Sequence, residues 1–340
     1  MKKQIILNNA GKPITLPKEH ARRCAMLERK IKNDLGYNIS VTTLTEVLAK
    51  VSEVKFYEVA IAEYMPVKVG LGAWSDRILQ YRSTALADDF ATGIINTAGS
   101  KGRLASADAG IEAVSNPIIN WAKDITWTLF DVRLASKTGN WDIVEAKEKA
   151  RKKNWDLGIQ SIGFLGLPDN AAIKGLMNQT GVTDNTARIV KPISAMTDAE
   201  FAVFLAGFMN DYRANAVRTA WPNRFAIPES DYLGLAIPNS SATPNKSKLE
   251  VLETTIRILT KDESFKVLPN VYGDNTYNGG LGQKYALYHA EEDSMYMAIP
   301  VDYTNTAQNT ENGFHFTNVA YGQFGGLFLN RPSEFLYYSY

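Results

Sequence analysis

The stretch from residue 72 to 120 limits this chain more than any other. It carries small residues, scattered charges and no sustained apolar period, and it is too long for an ordinary loop. Aromatic and aliphatic residues still punctuate it, so it is not low-complexity sequence. It reads as an extended two-stranded excursion with a tip near Thr97–Gly102. Two strands alone cannot bury their own apolar positions, so this arm must lie on something else.

The rest of the chain has enough apolar residues for ordinary cores. Its 340 residues are 45% hydrophobic and 21% charged, which suits one large or two medium-sized domains without disulfides. Cys24 is the only cysteine, so no intrachain disulfide is possible. The apolar run in residues 1–10 is too short for a signal peptide, and no window is long and apolar enough for a membrane span. Synthesis and folding in a cytoplasm are expected.

Net charge is +1, but it is unevenly spread. Residues 1–32 hold nine Lys or Arg and two Glu, giving +7 and leaving −6 for the remainder. Pro17 and Glu19 suit a helix start, and Cys24, Leu27, Ile31 and Leu35 form one stripe before Gly36. Residues 17–35 therefore read as an amphipathic helix whose outer face carries Lys18, Arg22, Arg23, Arg29, Lys30 and Lys32. Such a face suits an anionic partner. It equally suits solvent or the acidic body of a neighbouring copy.

Thr42–Val54 suits a second short helix, and residues 121–136 contain strand-like stretches. A helix follows over 142–158, with i,i+4 pairs Glu145–Lys149 and Glu148–Lys152 and a thin stripe of Ile143, Ala146, Ala150 and Leu157. Lys147, Lys149, Arg151, Lys152 and Lys153 give it a basic, solvated remainder. Thr197 and Glu200 make a capping box before Phe201, Phe204, Leu205, Phe208 and Tyr212 at core-helix spacing. Residues 224–227 read as a buried strand, Pro228–Leu233 as a short helix and Ser247–Ile258 as an amphipathic one. Strands are expected at 265–268, 284–289, 295–299, 314–321, 324–329 and 334–338, which makes an α+β plan.

Chemistry is not written in the chain. His20, His289 and His315 lack the spacing of zinc ligands, and Cys24 sits on an apolar stripe. There is no nucleophile elbow, P-loop or dinucleotide fingerprint. Asn278-Gly279-Gly280-Leu281-Gly282 reads as a turn, and Asp88–Asp89 and Glu291–Glu292 are merely adjacent. No catalytic residue, cofactor or metal is expected.

The order of these elements resembles the major capsid proteins of tailed bacteriophages with the Hong Kong 97 (Johnson) fold, and most nearly their encapsulin-like subgroup. The resemblance runs from about residue 45 onward through many moderate signals. Ile78-Leu79-Gln80-Tyr81-Arg82 opens an arm like the family's E-loop, and Ala87-Asp88-Asp89 lies within it. Gly175-Leu176-Met177-Asn178 is similar to a family segment that follows its spine helix. Pro228–Tyr232 fits a family PxxxY helix, and 322–332 with Glu334–Tyr338 resemble the closing strands.

The resemblance implies an N-arm at 1–45 and an E-loop at 73–120. It implies a peripheral domain of 46–72, 121–190 and 315–340, and an axial domain of 191–314. It further implies hexamers and pentamers that build an icosahedral or prolate head around double-stranded DNA, with portal, scaffold or decoration proteins as possible partners. No long helical scaffolding segment precedes the arm, so a separate scaffold protein or none is expected. An encapsulin shell around protein cargo is the nearest alternative; a soluble enzyme without a recognised motif is the distant one.

Overall fold

A computed structural model describes residues 55–85, 109–137, 142–238, 246–310 and 312–340. The basic residues Lys18, Arg22, Arg23, Arg29, Lys30 and Lys32, with His20, Cys24 and the helices expected at 17–35 and 42–54, lie outside them. So do the arm's tip and Asp88–Asp89.

The excursion is a hairpin arm. Strand β2 (Arg77–Ala85) pairs antiparallel with β3 (Ala109–Pro117), in unbroken register from Arg77 opposite Pro117 to Ala85 opposite Ala109. Among the described residues the two form a sheet by themselves.

A five-stranded sheet organises the cores. Its order is β5 (Thr183–Asn185), β14 (Phe335–Ser339), β8 (Lys284–Tyr288), β6 (Arg224–Pro228) and β7 (Lys266–Asn270). Alternation sends Phe225, Val267, Tyr285, Leu287, Leu336 and Tyr338 into one core. It sends Ala226, Leu268, Ala286, Tyr288, Phe335 and Tyr337 into the other. Strands buried on both faces read as continuous apolar runs rather than alternating ones, as YALY and FLYY do here.

Three helices furnish the first core: α4 (Asp198–Asn215), α5 (Glu229–Ala236) and α6 (Lys248–Thr260). The expected capping box is present, with Thr197 accepting from the Glu200 amide and Glu200 from the Thr197 amide. The Lys191 ammonium, then Thr197, holds the Glu200 carboxyl down to about 2. Its contribution is therefore present above the unfolded carboxylate range and is lost as pH falls towards 2. Replacing Thr197 by alanine should cost about 1 kcal/mol, read as a lower thermal midpoint.

The second core is built on α3 (Ile143–Leu165). The helix outruns the expected 142–158 because Gly158 has open space around it and is tolerated within the helix. It ends at Gly166, φ 73°, where a Cβ would sit 2.3 Å from the Ile173 carbonyl oxygen. The expected stripe is also corrected. The inward face is Arg151, Trp155 and Ile159 at i,i+4 spacing, while Ala150 is exposed.

Arg151, expected in solvent, is 2% exposed. Its guanidinium donates to Tyr303 Oη at 3.0 Å, Lys123 O at 3.3 Å, and Asn318 O and Oδ1 at 2.7 and 2.5 Å. A further bond runs to Asn305 Oδ1 at 3.0 Å. These acceptors lie on β4 (Ile119–Thr128), β10 (Val301–Asn305) and β12 (His315–Phe324). Strand β12 pairs with β4 over ten residues on one side, and with β10 and β11 (Asn309–Thr310) on the other. A Cβ on Gly322 of β12 would lie 2.4 Å from Trp155 Cη2, so the helix approaches the sheet through a missing side chain. Gly322→Ala should cost about 1–3 kcal/mol through overpacking, measurable by thermal melting.

Strand character ends at Thr128, not at 136. Residues Leu129–Lys137 form α2, because Thr128 and Asp131 cap one another: the Thr128 amide and hydroxyl donate to Asp131, and the Asp131 amide donates back. The apolar run at 324–329 likewise splits. Gly325 and Gly326 turn the chain from β12 into β13 (Leu327–Leu329), which pairs with β9 (Met295–Ile299). Strand β9 also takes β1 (Val67–Val69), which follows the single turn α1 (Ile61–Tyr64). The short strands β1, β5, β10 and β11 were not expected from sequence. Segments read as peripheral and axial therefore share sheets: β5 and β14 join β6–β8, and β9 joins β1 and β13.

Candidate assembly surfaces

The arm exposes one apolar face. Leu79 opposes Ser115, Tyr81 opposes Ala113, and Ile111 lies two residues along the same face. Leu79, Tyr81 and Ile111 are 59%, 69% and 75% exposed. The opposite face is anchored at its base. Ile78 packs on Tyr296, Ala298 and Phe328, and Tyr296 Oη donates to Gln80 Oε1 at 3.0 Å. Trp74 fixes the root, its amide donating to Gln323 Oε1 at 2.8 Å and its ring lying 5.7 Å from Tyr321.

The segment 175–178 is a backbone hub rather than a surface. Leu176 and Met177 are buried, and their amides donate to Gly163 and Phe164 carbonyls at 2.8 Å. Asn178 accepts from Gly175 N and donates to Leu165 O. Tyr337 Oη donates to Leu176 O, tying the closing strand to the end of α3.

Two clefts among the described residues hold no free acid–base pair. A depression of about 450 Å³ is lined by Asp184, Asn185, Asp211 and Asn215. Asp211 is gripped by Arg188 at 2.5 and 2.9 Å, and Asp184 accepts from Ser339 at 2.8 Å and lies 3.7 Å from Lys284. Burial lowers the Lys284 ammonium, against the pull of Asp184. A second cleft of about 310 Å³ is apolar, with Arg213 stacked 4.2 Å over Trp221. Buried Asp231 accepts from the Ile193 and Ser194 amides and from Tyr285 Oη, so it braces a turn. Burial raises the phenols of Tyr212, Tyr285, Tyr288, Tyr337 and Tyr338, as packed core groups require.

His289 pairs with Glu291 at 3.2 Å, and His315 is exposed on β12 beside Phe314. Among the described residues no cluster of His, Cys, Asp and Glu could hold a metal, and no helix is long and apolar enough to cross a membrane. What sequence reasoning missed is the buried Arg151 network, whose only signal was the i,i+4 run Arg151, Trp155, Ile159.

No curated protein matches the chain. Solved structures do. The capsid of Myoviridae phage XM1 is similar at 17% identity, covering 90% of this chain and 99% of that one, with a TM-score of 0.71. Mycobacterium phage Ogopogo gives 10% identity, 88% and 97% coverage and a TM-score of 0.56. The capsid of a native GTA particle gives 10%, 87% and 95%, and 0.54. At such identities these likenesses establish the fold, that of tailed-phage shells. A family model described as "Major capsid protein" matches residues 92–340, nearly three quarters of the sequence. With an arm that exposes an apolar face, sheets shared between distant described segments and this match, the chain belongs to the major capsid protein family.

Proposed function

We propose that this chain forms hexamers and pentamers that close into the icosahedral or prolate head around a double-stranded DNA genome, assembled in the cytoplasm of a bacterial host. The observation that carries this reading is the arm, which keeps three large apolar side chains in solvent and packs on its own chain at its base. A neighbouring copy is the natural cover, because identical chains close into rings by repeating one contact. In this reading 73–120 is the E-loop, and 1–45 is the N-arm. Segments 46–72, 121–190 and 315–340 form the peripheral domain, and 191–314 the axial domain. Portal, scaffold or decoration proteins complete the set of partners.

Electron microscopy of the expressed chain, alone and with its head-assembly partners, tests the reading. Capsomers, sheets, tubes or shells are expected; a compact monomer under all conditions would sink it. No catalysis is expected either: His289→Asn and His315→Asn should change no turnover, and a hydrolase activity lost in either variant would contradict this.

The basic residues Lys18, Arg22, Arg23, Arg29, Lys30 and Lys32 are proposed to face the lumen and contact DNA phosphates without sequence readout. Replacing Arg22, Arg23, Arg29 and Lys30 with Gln should leave empty shells intact and make filled heads less tolerant of chelators and low salt. Failure of empty shells to form would assign the segment to protein–protein recognition instead.

A further inference from the structure

The dipeptide Asn-Gly occurs twice in the chain, and both copies take the same local form. Asn278-Gly279 lies between β7 and β8, and Asn312-Gly313 between β11 and β12. In each, the asparagine Oδ1 accepts from the backbone amides two and three residues on. These are Gly280 and Leu281 at 3.2 and 2.9 Å in the first turn, and Phe314 and His315 at 3.1 and 3.0 Å in the second. The glycines match as well, with φ 74° at Gly279 and 70° at Gly313.

The twins differ at the side-chain nitrogen. Asn278 is 4% exposed, and its Nδ2 donates to Gly282 O at 2.6 Å and more weakly to Gly273 O at 3.5 Å. Asn312 is exposed, and among the described residues its Nδ2 donates to none.

That nitrogen is the leaving group when an asparagine reacts with its own backbone. The amide nitrogen of the next residue attacks Cγ, and the new N–Cγ bond closes a five-membered imide. The Cγ–Nδ2 bond breaks, and ammonia departs with the proton that the backbone nitrogen gives up. Water then opens the imide at either carbonyl, leaving aspartate or isoaspartate and one new negative charge. Glycine allows the attack because no side chain shields its nitrogen. In both turns the two amides at Oδ1 sit where negative charge develops during attack, as the donors of an oxyanion hole do. Gly313 N–H also faces Thr310 Oγ1 at 2.9 Å, a hydroxyl in reach to take its proton and pass one to water. Only at Asn312 is the leaving nitrogen free and in contact with water.

We propose that Asn312 is a self-modifying site that deamidates through an imide formed with Gly313, while its twin Asn278 is spared. Aspartate at 312 keeps an oxygen for the Phe314 and His315 amides, so the turn survives with an added charge. Isoaspartate inserts a backbone carbon and loosens the pairing of Asn309 with Thr317 and of Thr310 with Phe316. The protein thus gains charge at this turn with age and without an enzyme.

The test ages the full chain in neutral buffer and digests it under mildly acidic conditions. Each peptide is scored by mass for conversion of amide to acid, and by isoaspartyl methyltransferase labelling. Conversion at Asn312 should run at least about tenfold ahead of Asn278, the factor for one ordinary hydrogen bond broken beforehand. It should also rise about tenfold per pH unit, because the step begins with loss of a proton. In urea the two sites should react at similar rates, since the fold that separates them is gone. An Asn312 that stays intact, or that converts no faster than Asn278 in the folded chain, overturns the proposal. The same discrimination persisting in urea also overturns it, because local sequence and not the fold would then set the rates.

Discussion

Replacing Arg151 with methionine should lower the melting temperature of the unassembled chain by roughly 10 °C. The side chain is buried and hydrogen-bonds five times to acceptors on β4, β10 and β12, none of them a carboxylate. Methionine fills much of the volume but leaves the carbonyl and side-chain oxygens of buried Asn318 without the guanidinium, while exposed Asn305 and half-buried Tyr303 can turn to water. Each buried polar group left without a partner costs about 1–3 kcal/mol. Relief from holding a cation in the core offsets part of this. A net loss near 3 kcal/mol is expected, at about 2–4 °C per kcal/mol for a chain of a few hundred residues. Arg151→Lys should do no better, since one ammonium cannot span acceptors on three strands. Differential scanning calorimetry decides the matter: a methionine variant melting within about 2 °C of the parent would show that desolvating the guanidinium cancels its bonds.

Placing aspartate at both Leu79 and Tyr81 should abolish assembly while leaving the chain folded. Both side chains stand on the exposed face of the arm, with only Ser115 and Ala113 opposite. Covering an aliphatic or aromatic side chain with a neighbour is worth about 1.5–3 kcal/mol, and every subunit repeats the contact. Two carboxylates reverse that gain, because burying an unpaired charge is strongly unfavourable. The free chain loses nothing, as these positions contribute little to its own cores. Circular dichroism should match the parent, and micrographs should lack shells. Intact shells would place the apolar face in solvent within the assembly; a collapsed fold would place it in a core.

Much of the architecture was legible because local rules governed it. Thr197 and Glu200 cap a helix through atoms three residues apart, so their pattern reads the same in any context. The hairpin was legible for the opposite reason: a long segment without apolar period cannot be a core element, and an extended pair is what remains. The Thr128–Asp131 cap is as local as the first, but the aromatic and β-branched run before it masked the change to helix.

Other features needed the tertiary structure. Arg151 looks like four neighbouring cations on its helix, and the carbonyls of β4 and β12 together with the side chains of Asn318, Tyr303 and Asn305 make its burial tolerable. Gly166 and Gly322 act as a stop and a docking site because of atoms far away in sequence, the Ile173 carbonyl after a turn and the Trp155 ring on another element. The strands β5 and β1 are too short to show a period, and they exist because the edges of β14 and β9 offer hydrogen bonds. The sequence by itself therefore determined the caps, the aromatic core helix, the arm and the family resemblance, all set by neighbours along the chain. Which segments share a sheet, and which cation may be buried, were decided by the tertiary structure alone, because both depend on hydrogen-bond partners and packing neighbours that only long-range folding brings within reach.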